Sequence, residues 1–200
     1  YIPISQTIQR GDSMIIALTG ERTSGKTTAS KYLISLGFAP FSFADPIRDV
    51  LHVMLGWSYD FMENHKEEVD PEYGICPREG MQVLGTEIGQ FAIGEHLPAF
   101  QKKIGRTIWA QCFRRWFYQH GMPRQVVIPD MRFRHEYDTT KDLDSEYYVI
   151  RVTRDRTFDK YDEHESELHY DEIPADFFIE NNDGVGHITL RMKAIMEELL

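Results

Sequence analysis

"GERTSGKTTASKYL", residues 20–33, is the stretch whose reading decides the fold of this 200-residue chain. From Gly20 to Thr27 it fits the spacing G-x-x-x-x-G-K-[ST] in full. Before it runs "MIIALT" (14–19), short and apolar enough for a buried strand. After it, Ala29, Tyr32, Leu33 and Leu36 recur at i, i+3, i+4 and i+7, the inward stripe of a helix that Gly37 would end. Strand, glycine loop and helix in this order are the context that a phosphate-binding loop requires. The glycines let the backbone fold tightly around phosphate, while loop N–H groups and the helix N-terminus supply positive potential. Gly20, Thr23, Ser24, Gly25, Lys26, Thr27 and Thr28 are therefore expected to hold ATP phosphates, with Lys26 reaching the β- and γ-phosphates and Thr27 ligating Mg²⁺.

Outward from the loop, strands and helices alternate. "FAPFSF" (38–43) reads as a strand, and Asp45-Pro46 opens a helix with the stripe Ile47, Val50, Leu51, Met54 and Leu55. Residues 56–79 are aromatic, acidic and irregular, and are expected to form a surface excursion. Met81, Leu84, Ile88 and Phe91 outline a helix that Gly85 and Gly89 weaken, and residues 108–117 a stronger one. "VVIPD" (126–130), "YYVIRVT" (147–153) and "DFFIE" (176–180) read as strands, and Ile188, Met192, Ile195, Met196 and Leu199 define a closing helix. The pattern predicts an α/β fold with a parallel sheet of about five strands covered on both faces. Residues 14–200 form the expected domain, with 56–107 as an acceptor-binding helical region and the highly charged 154–172 as a mobile lid. Residues 1–13 lack periodicity and are read as an extension outside the fold.

Charge narrows the function. Asp and Glu total 32 against 22 Lys and Arg, a formal charge of −10, which argues against binding that rests on wrapping a nucleic-acid backbone. Fourteen of the 22 basic residues are arginines, whose planar fork suits small phosphorylated ligands. Cys76 and Cys112 do not make a disulfide framework, and neither a signal-peptide pattern nor a membrane-length apolar run is present, so a cytoplasmic protein is expected.

A P-loop alone does not name a reaction. No Asn-Lys-x-Asp guanine motif occurs, and the chain is short for a helicase core, which favours small-molecule phosphoryl transfer. Such transfer needs cations over the moving phosphoryl group and exclusion of water. Arg48 lies in a helix's first turn, where the dipole favours acids, so an anionic ligand would explain it, as would pairing with Asp45 or Asp49. Arg132 follows the strand ending at Asp130, at the sheet edge where open α/β folds bind ligands. Of Arg151, Arg154 and Arg156 at the start of the lid, Arg154 is the expected phosphate contact. Asp130 reads as the acid supporting Mg²⁺ or as a turn residue, and Asp45 as a helix cap or an acceptor-side group. His164 and His169 are five residues apart, not the four of HExxH, and no zinc site is expected.

Together "GERTSGKTT", "FSFADPIRDVL", "MQVLGTEIGQ", "VVIPDMRFRHEYD", "DEHESEL" and "DFFIENNDG" resemble, in order, the phage-type deoxynucleoside monophosphate kinases of bacteriophage deoxynucleotide metabolism. That resemblance implies a P-loop kinase fold with a lid, and transfer of the γ-phosphoryl group of ATP to a deoxynucleoside 5′-monophosphate with Mg²⁺. It implies that Asp45, Arg48, Glu87, Gln90 and Arg132 face the acceptor, that Lys26 and Arg132 meet the phosphates, with Arg154 added from its place at the lid, that "NND" (181–183) either lies near the adenine or is an ordinary strand-to-helix turn, and that a homodimer forms. Two departures stand out: Gln90 replaces the arginine expected after "GTE", a role open to Arg106, and residues 94–107 do not follow the pattern. The alternatives are a P-loop kinase acting on a hydroxyl, such as a modified base in DNA, and an ATP-driven switch without transfer.

Overall fold

The computed structural model describes residues 13–143, 145–155 and 169–200. Five parallel strands form one sheet: β1 (Met14–Thr19), β2 (Ala39–Pro40), β3 (Gln125–Ile128), β4 (Glu146–Thr153) and β5 (Phe177–Glu180), in the spatial order β2-β3-β1-β4-β5. β1 is buried along its whole length, as a central strand covered on both faces must be. Its side chains divide by the period of two: Ile15 and Ala17 join Phe41, Phe43, Ile47, Phe113 and Ile128 on one face. Met14, Ile16 and Leu18 join Leu33, Ile150, Ile179, Ile188 and Met192 on the other.

Helices α1 (Lys26–Ser35) and α9 (Val185–Leu199) pack together on the second face, and α2 (Asp45–Leu55) and α7 (Ile108–Gln119) bury side chains into the first. Between them lie α3 (Tyr59–Asn64), α4 (Pro77–Gln82), a π-helical stretch (Val83–Ala92), α5 (Ile93–His96) and α6 (Pro98–Lys103). Helix α8 (Arg134–Thr140) follows β3. The register sets the ligand edge: Ala17 pairs with Ile128 and Thr19 with Arg151, so the phosphate loop, Asp130 and Arg154 all emerge beyond the carboxyl ends of adjacent strands.

Several expectations need correction. β2 has two residues rather than six, because the Ser42 and Phe43 N–H groups bond to the carboxylates of Asp45 and Asp130 instead of a neighbouring strand. Residues 56–79 are more than a surface excursion: Trp57 and Met62 are buried, and the Trp57 indole donates to Asp70 Oδ2 at 2.7 Å. The inward stripe of α2 is narrow, burying Ile47 and Leu51 while Met54 is 65% exposed. The glycines at 85 and 89 serve close packing. Trp109 donates its indole N–H to the Gly85 carbonyl at 2.7 Å, and a Cβ on Gly89 would strike the same ring. Drawing that carbonyl away from the usual helical ladder accounts for the π-helical turn widening here. The extension read at 1–13, apart from Ser13, and the lid read at 154–172, between residues 156 and 168, lie outside the described residues, as do Arg156 and His164.

Candidate active site

The phosphate loop takes its shape from residues that no other side chain could replace. Gly20 and Gly25 have φ of 128° and 120°, and a Cβ on either would collide, with the Val152 carbonyl in the first case and with Ile188 and Asn181 in the second. Thr23 also has a positive φ, 57°, a conformation costly for a residue with a branched Cβ. Lys26 Nζ donates to the Gly20 and Glu21 carbonyls at 2.7 and 2.5 Å, so its ammonium lies over the concave side of the loop. Beneath, Asn181 Nδ2 donates to the Ser24 carbonyl at 2.6 Å. Thus the first residue of "NND" braces the loop from below. Two further ties hold the loop's flank: Tyr170 donates its hydroxyl to Glu21 at 2.6 Å, and Arg22 lies 3.6 Å from Glu67. Burial, then the Glu21 carboxylate, push the Tyr170 hydroxyl up to about 12, so it remains a donor at neutral pH. Thr27 is exposed on the first turn of α1, and Thr28 N–H closes that turn on Gly25 O at 2.9 Å.

Across the edge, the residues expected on the acceptor side are tied to one another through side chains. Asp130 receives three hydrogen bonds from the turn before α2: Ser42 Oγ at 2.6 Å, Phe43 N at 2.9 Å and Ala44 N at 3.1 Å. Asp45 accepts from Ser42 N at 3.0 Å and from Arg48 Nη1 at 2.8 Å, and Arg48 Nη2 reaches Glu63 at 3.0 Å. Of the pairings open to Arg48 in the sequence, Asp45 is used; Asp49 instead accepts from Tyr59 at 2.6 Å. Burial raises the Asp45 carboxyl, opposed by its bonds from Ser42 and Arg48 and reinforced by the Asp130 charge. As a cap, Asp45 serves the turn at Ser42 from the first residue of α2, with Ala44 preceding the helix.

The loop carrying Arg132 is pinned by Glu136, which the sequence reading missed. Its Oε2 accepts from the backbone N–H of Arg132 at 2.8 Å and of Phe133 at 3.0 Å. Burial drives the Glu136 carboxyl up to about 8, against the pull of those two N–H groups. The signal was available: a glutamate three residues into a helix commonly reaches back to the N–H before it.

A model of the deoxynucleotide monophosphate kinase family matches residues 62–192. A protein of Acanthamoeba polyphaga mimivirus, provisionally named a deoxynucleotide monophosphate kinase, is 33% identical over 149 residues, which is 70% of this chain and 74% of the viral one. The chain belongs to the deoxynucleotide monophosphate kinase family. It is a kinase, and its fold is that of the P-loop kinases. Among solved structures, TT1252 from Thermus thermophilus superposes with a TM-score of 0.50 at 17% identity, over 94% of this chain and 98% of that one. A dephospho-CoA kinase from Campylobacter jejuni gives 0.49 at 14% identity, over 94% and 97%.

The remaining residues expected at the acceptor divide. Glu87 is exposed on the π-helical stretch, whereas Gln90 is only 3% exposed and accepts from Arg106 Nε at 3.2 Å. The two residues that the sequence paired in one role therefore lie in different surroundings, and Gln90 and Arg106 come together. Arg154 is half-buried just past β4, next to Asp155, whose N–H donates to Asn182 Oδ1 at 3.0 Å. Arg151 is turned the other way, donating to the carbonyls of Asp171, at 3.1 Å, and Ile173.

The residues present fit Mg²⁺. Among the described residues no cluster of three His, Cys, Asp or Glu side chains is suited to a metal, but Mg²⁺ bound with nucleotide keeps several waters and asks for one or two protein oxygens. Thr27 offers an exposed hydroxyl at the loop, and Asp130 retains acceptor capacity beyond its three bonds, a carboxylate having about four lone-pair sites. No helix among the described residues is long and apolar enough to cross a membrane.

Proposed function

We propose that this chain transfers the γ-phosphoryl group of ATP to the 5′-phosphate of a deoxynucleoside monophosphate, giving the diphosphate and ADP. The observation that carries the reading is the meeting, at one sheet edge, of the phosphate loop with the Asp130–Arg132 and Asp45–Arg48 segments. In this reading the loop N–H groups and Lys26 hold the triphosphate, its ammonium exchanging loop carbonyls for β- and γ-oxygens. An oxygen of the acceptor phosphate attacks the γ-phosphorus, and the bond from phosphorus to the β-bridging oxygen breaks. The acceptor needs no strong base, since a phosphate monoester with a second pKa near 6 is already mostly dianionic at neutral pH.

Arg132 would orient the acceptor phosphate and Arg154 would meet the equatorial oxygens of the transferred group, the two supplying positive charge from opposite sides. Arg48 and Asp45 would line the acceptor side, with Glu87 reaching it from the π-helical stretch. Mg²⁺, when bound by Thr27 and supported by Asp130, would neutralise the β- and γ-oxygens.

The test is turnover of ATP and Mg²⁺ with each deoxynucleoside monophosphate in turn, methylated and hydroxymethylated pyrimidines included, read as diphosphate formed. The raised Asp45 carboxyl favours one competing reading, a base for a hydroxyl acceptor. Labelling of hydroxymethylated DNA with no turnover of any free nucleotide would establish that competitor instead.

A further inference from the structure

Resting on that reading, we propose that Asn181 and Asn182 form a clamp that sets the phosphate loop and the Arg154 segment relative to each other, as positioning residues for the transfer. The loop follows β1, Arg154 follows β4 and the two asparagines follow β5, three strands that are neighbours in the sheet. Backbone pairing joins them as far as Thr19 with Arg151 and Thr153 with Glu180. One further rung, from the Asn181 N–H to the Thr153 carbonyl at 2.8 Å, closes the ladder. Past it, side-chain amides do what ladder bonds do within the sheet.

Asn181 serves the loop. It is buried, its Nδ2 donates to the Ser24 carbonyl at 2.6 Å, and a Cβ at Gly25 would come within 2.9 Å of the same nitrogen, so the loop backbone rests on the amide. Asn182 serves the other segment. Its Oδ1 accepts from the Asp155 N–H at 3.0 Å and its Nδ2 donates to Asp155 Oδ2 at 3.2 Å, a two-point contact that orients the residue adjoining Arg154. An amide suits both tasks, since a carboxylate has no donor for the Ser24 carbonyl or for Asp155 Oδ2. The turn carrying both is itself held, Asp183 Oδ2 lying 3.1 Å from His187 Nδ1 on the first turn of α9.

In-line transfer needs the γ-phosphorus and the cation over its equatorial oxygens in fixed relation, and a displacement of about 1 Å can cost on the order of 10²-fold in rate. In this reading the loop holds the first and Arg154 supplies the second. A link between their two segments therefore acts on the transition state more than on binding.

The experiment measures kcat and the KM values for ATP and for a deoxynucleoside monophosphate in wild type, Asn182→Ala, Arg154→Ala, their double variant and Asn181→Ala, with thermal melts to establish folding. Asn182→Ala, at an exposed position, is expected to lower kcat about tenfold with both KM values within about twofold. It is expected to lower kcat no further in the Arg154→Ala background, because it acts through the arginine. Asn181→Ala is expected to raise the KM for ATP about fivefold, the scale of one lost hydrogen bond, and to leave that of the monophosphate alone. An unchanged kcat in Asn182→Ala overturns the proposal, as does a loss of the same size in both backgrounds. A rise in the KM for ATP with kcat intact makes Asn182 a contact to the nucleotide and overturns the clamp as well. An unchanged KM for ATP in a folded Asn181→Ala overturns the hold on the loop. If Asn181→Ala does not fold, the cycle at Asn182 decides alone, and if Arg154→Ala turns over too slowly to measure, Arg154→Lys takes its place in that cycle. Absence of turnover by wild type on every monophosphate overturns the proposed function and this inference together, whereas wild-type turnover with an unaffected Asn182→Ala overturns this inference only.

Discussion

The two regions proposed to hold donor and acceptor are made by different means. The proposed donor side is a single run, Gly20 to Thr28, offering backbone N–H groups and one ammonium, with its shape enforced by glycines with positive φ. The proposed acceptor side draws on separate segments: the turn at Ser42–Arg48, Glu63 on α3, and the run from Asp130 to Glu136. It offers side chains, held by other side chains. Backbone recognition needs local sequence and leaves a fixed spacing, whereas side-chain recognition needs only that the fold bring distant residues together.

If the contrast is right, substitutions on each side should damage different steps. The largest effect is expected from Lys26→Ala, which should lower kcat by about 10²–10³-fold with the fold intact, as expected for loss of one preorganised charge contact to the transferred group. Steady-state kinetics with a thermal melt would check this, and a folded variant with full activity would remove the loop from the mechanism.

Next comes Asp130→Ala, which strands the Phe43 N–H and the Ser42 hydroxyl proton and leaves the Ala44 N–H only its bond to Ser42 Oγ at 3.1 Å. It should cost about 2–4 kcal/mol in denaturant unfolding, and should weaken both the acceptor, whose turn Asp130 ties, and Mg²⁺-ATP, whose metal it supports in the proposed reading. An unchanged unfolding free energy would show that Asp130 does not hold the turn.

The smallest effect concerns Glu136. Burial raises its folded carboxyl to about 8 from an ordinary value of 4.5, so the folded state holds a proton that the unfolded state has released between those values. Its contribution to stability is full below about pH 4.5 and declines as pH rises towards about 8. Glu136→Gln keeps an acceptor for the Arg132 and Phe133 N–H groups and cannot ionise, so its melting temperature relative to wild type should climb from about pH 5 to about pH 8. Parallel pH profiles would show that Glu136 titrates alike in both states.

The same contrast explains what the sequence made legible. The phosphate loop, the strand before it and the buried stripe of α9 are contiguous patterns, and each is found where its spacing puts it. The β2 region misled because Ser42 and Phe43 look like strand residues, yet the Ser42 N–H is claimed by Asp45, and the Phe43 N–H and Ser42 hydroxyl by Asp130, nearly ninety residues later. Gly85 and Gly89 looked like weaknesses in a helix until Ile47 and Trp109 were seen against them. Gln90 read as a contact to the acceptor, whereas its burial and its bond to Arg106 depend on where residues 94–107 fold back, and no local periodicity encodes that return. The "NND" turn was legible as a turn, but not as the brace under Ser24.

The central claim is that one edge of the sheet holds two phosphorylated ligands by separate machinery. Calorimetric titration of wild type, Lys26→Ala and Arg132→Ala, each with Mg²⁺-ATP and with a deoxynucleoside monophosphate that the wild type turns over, tests it directly. The account predicts that Lys26→Ala loses ATP affinity and keeps that of the monophosphate, while Arg132→Ala does the reverse. Loss of both ligands in either folded variant, or retention of both in each, would contradict it.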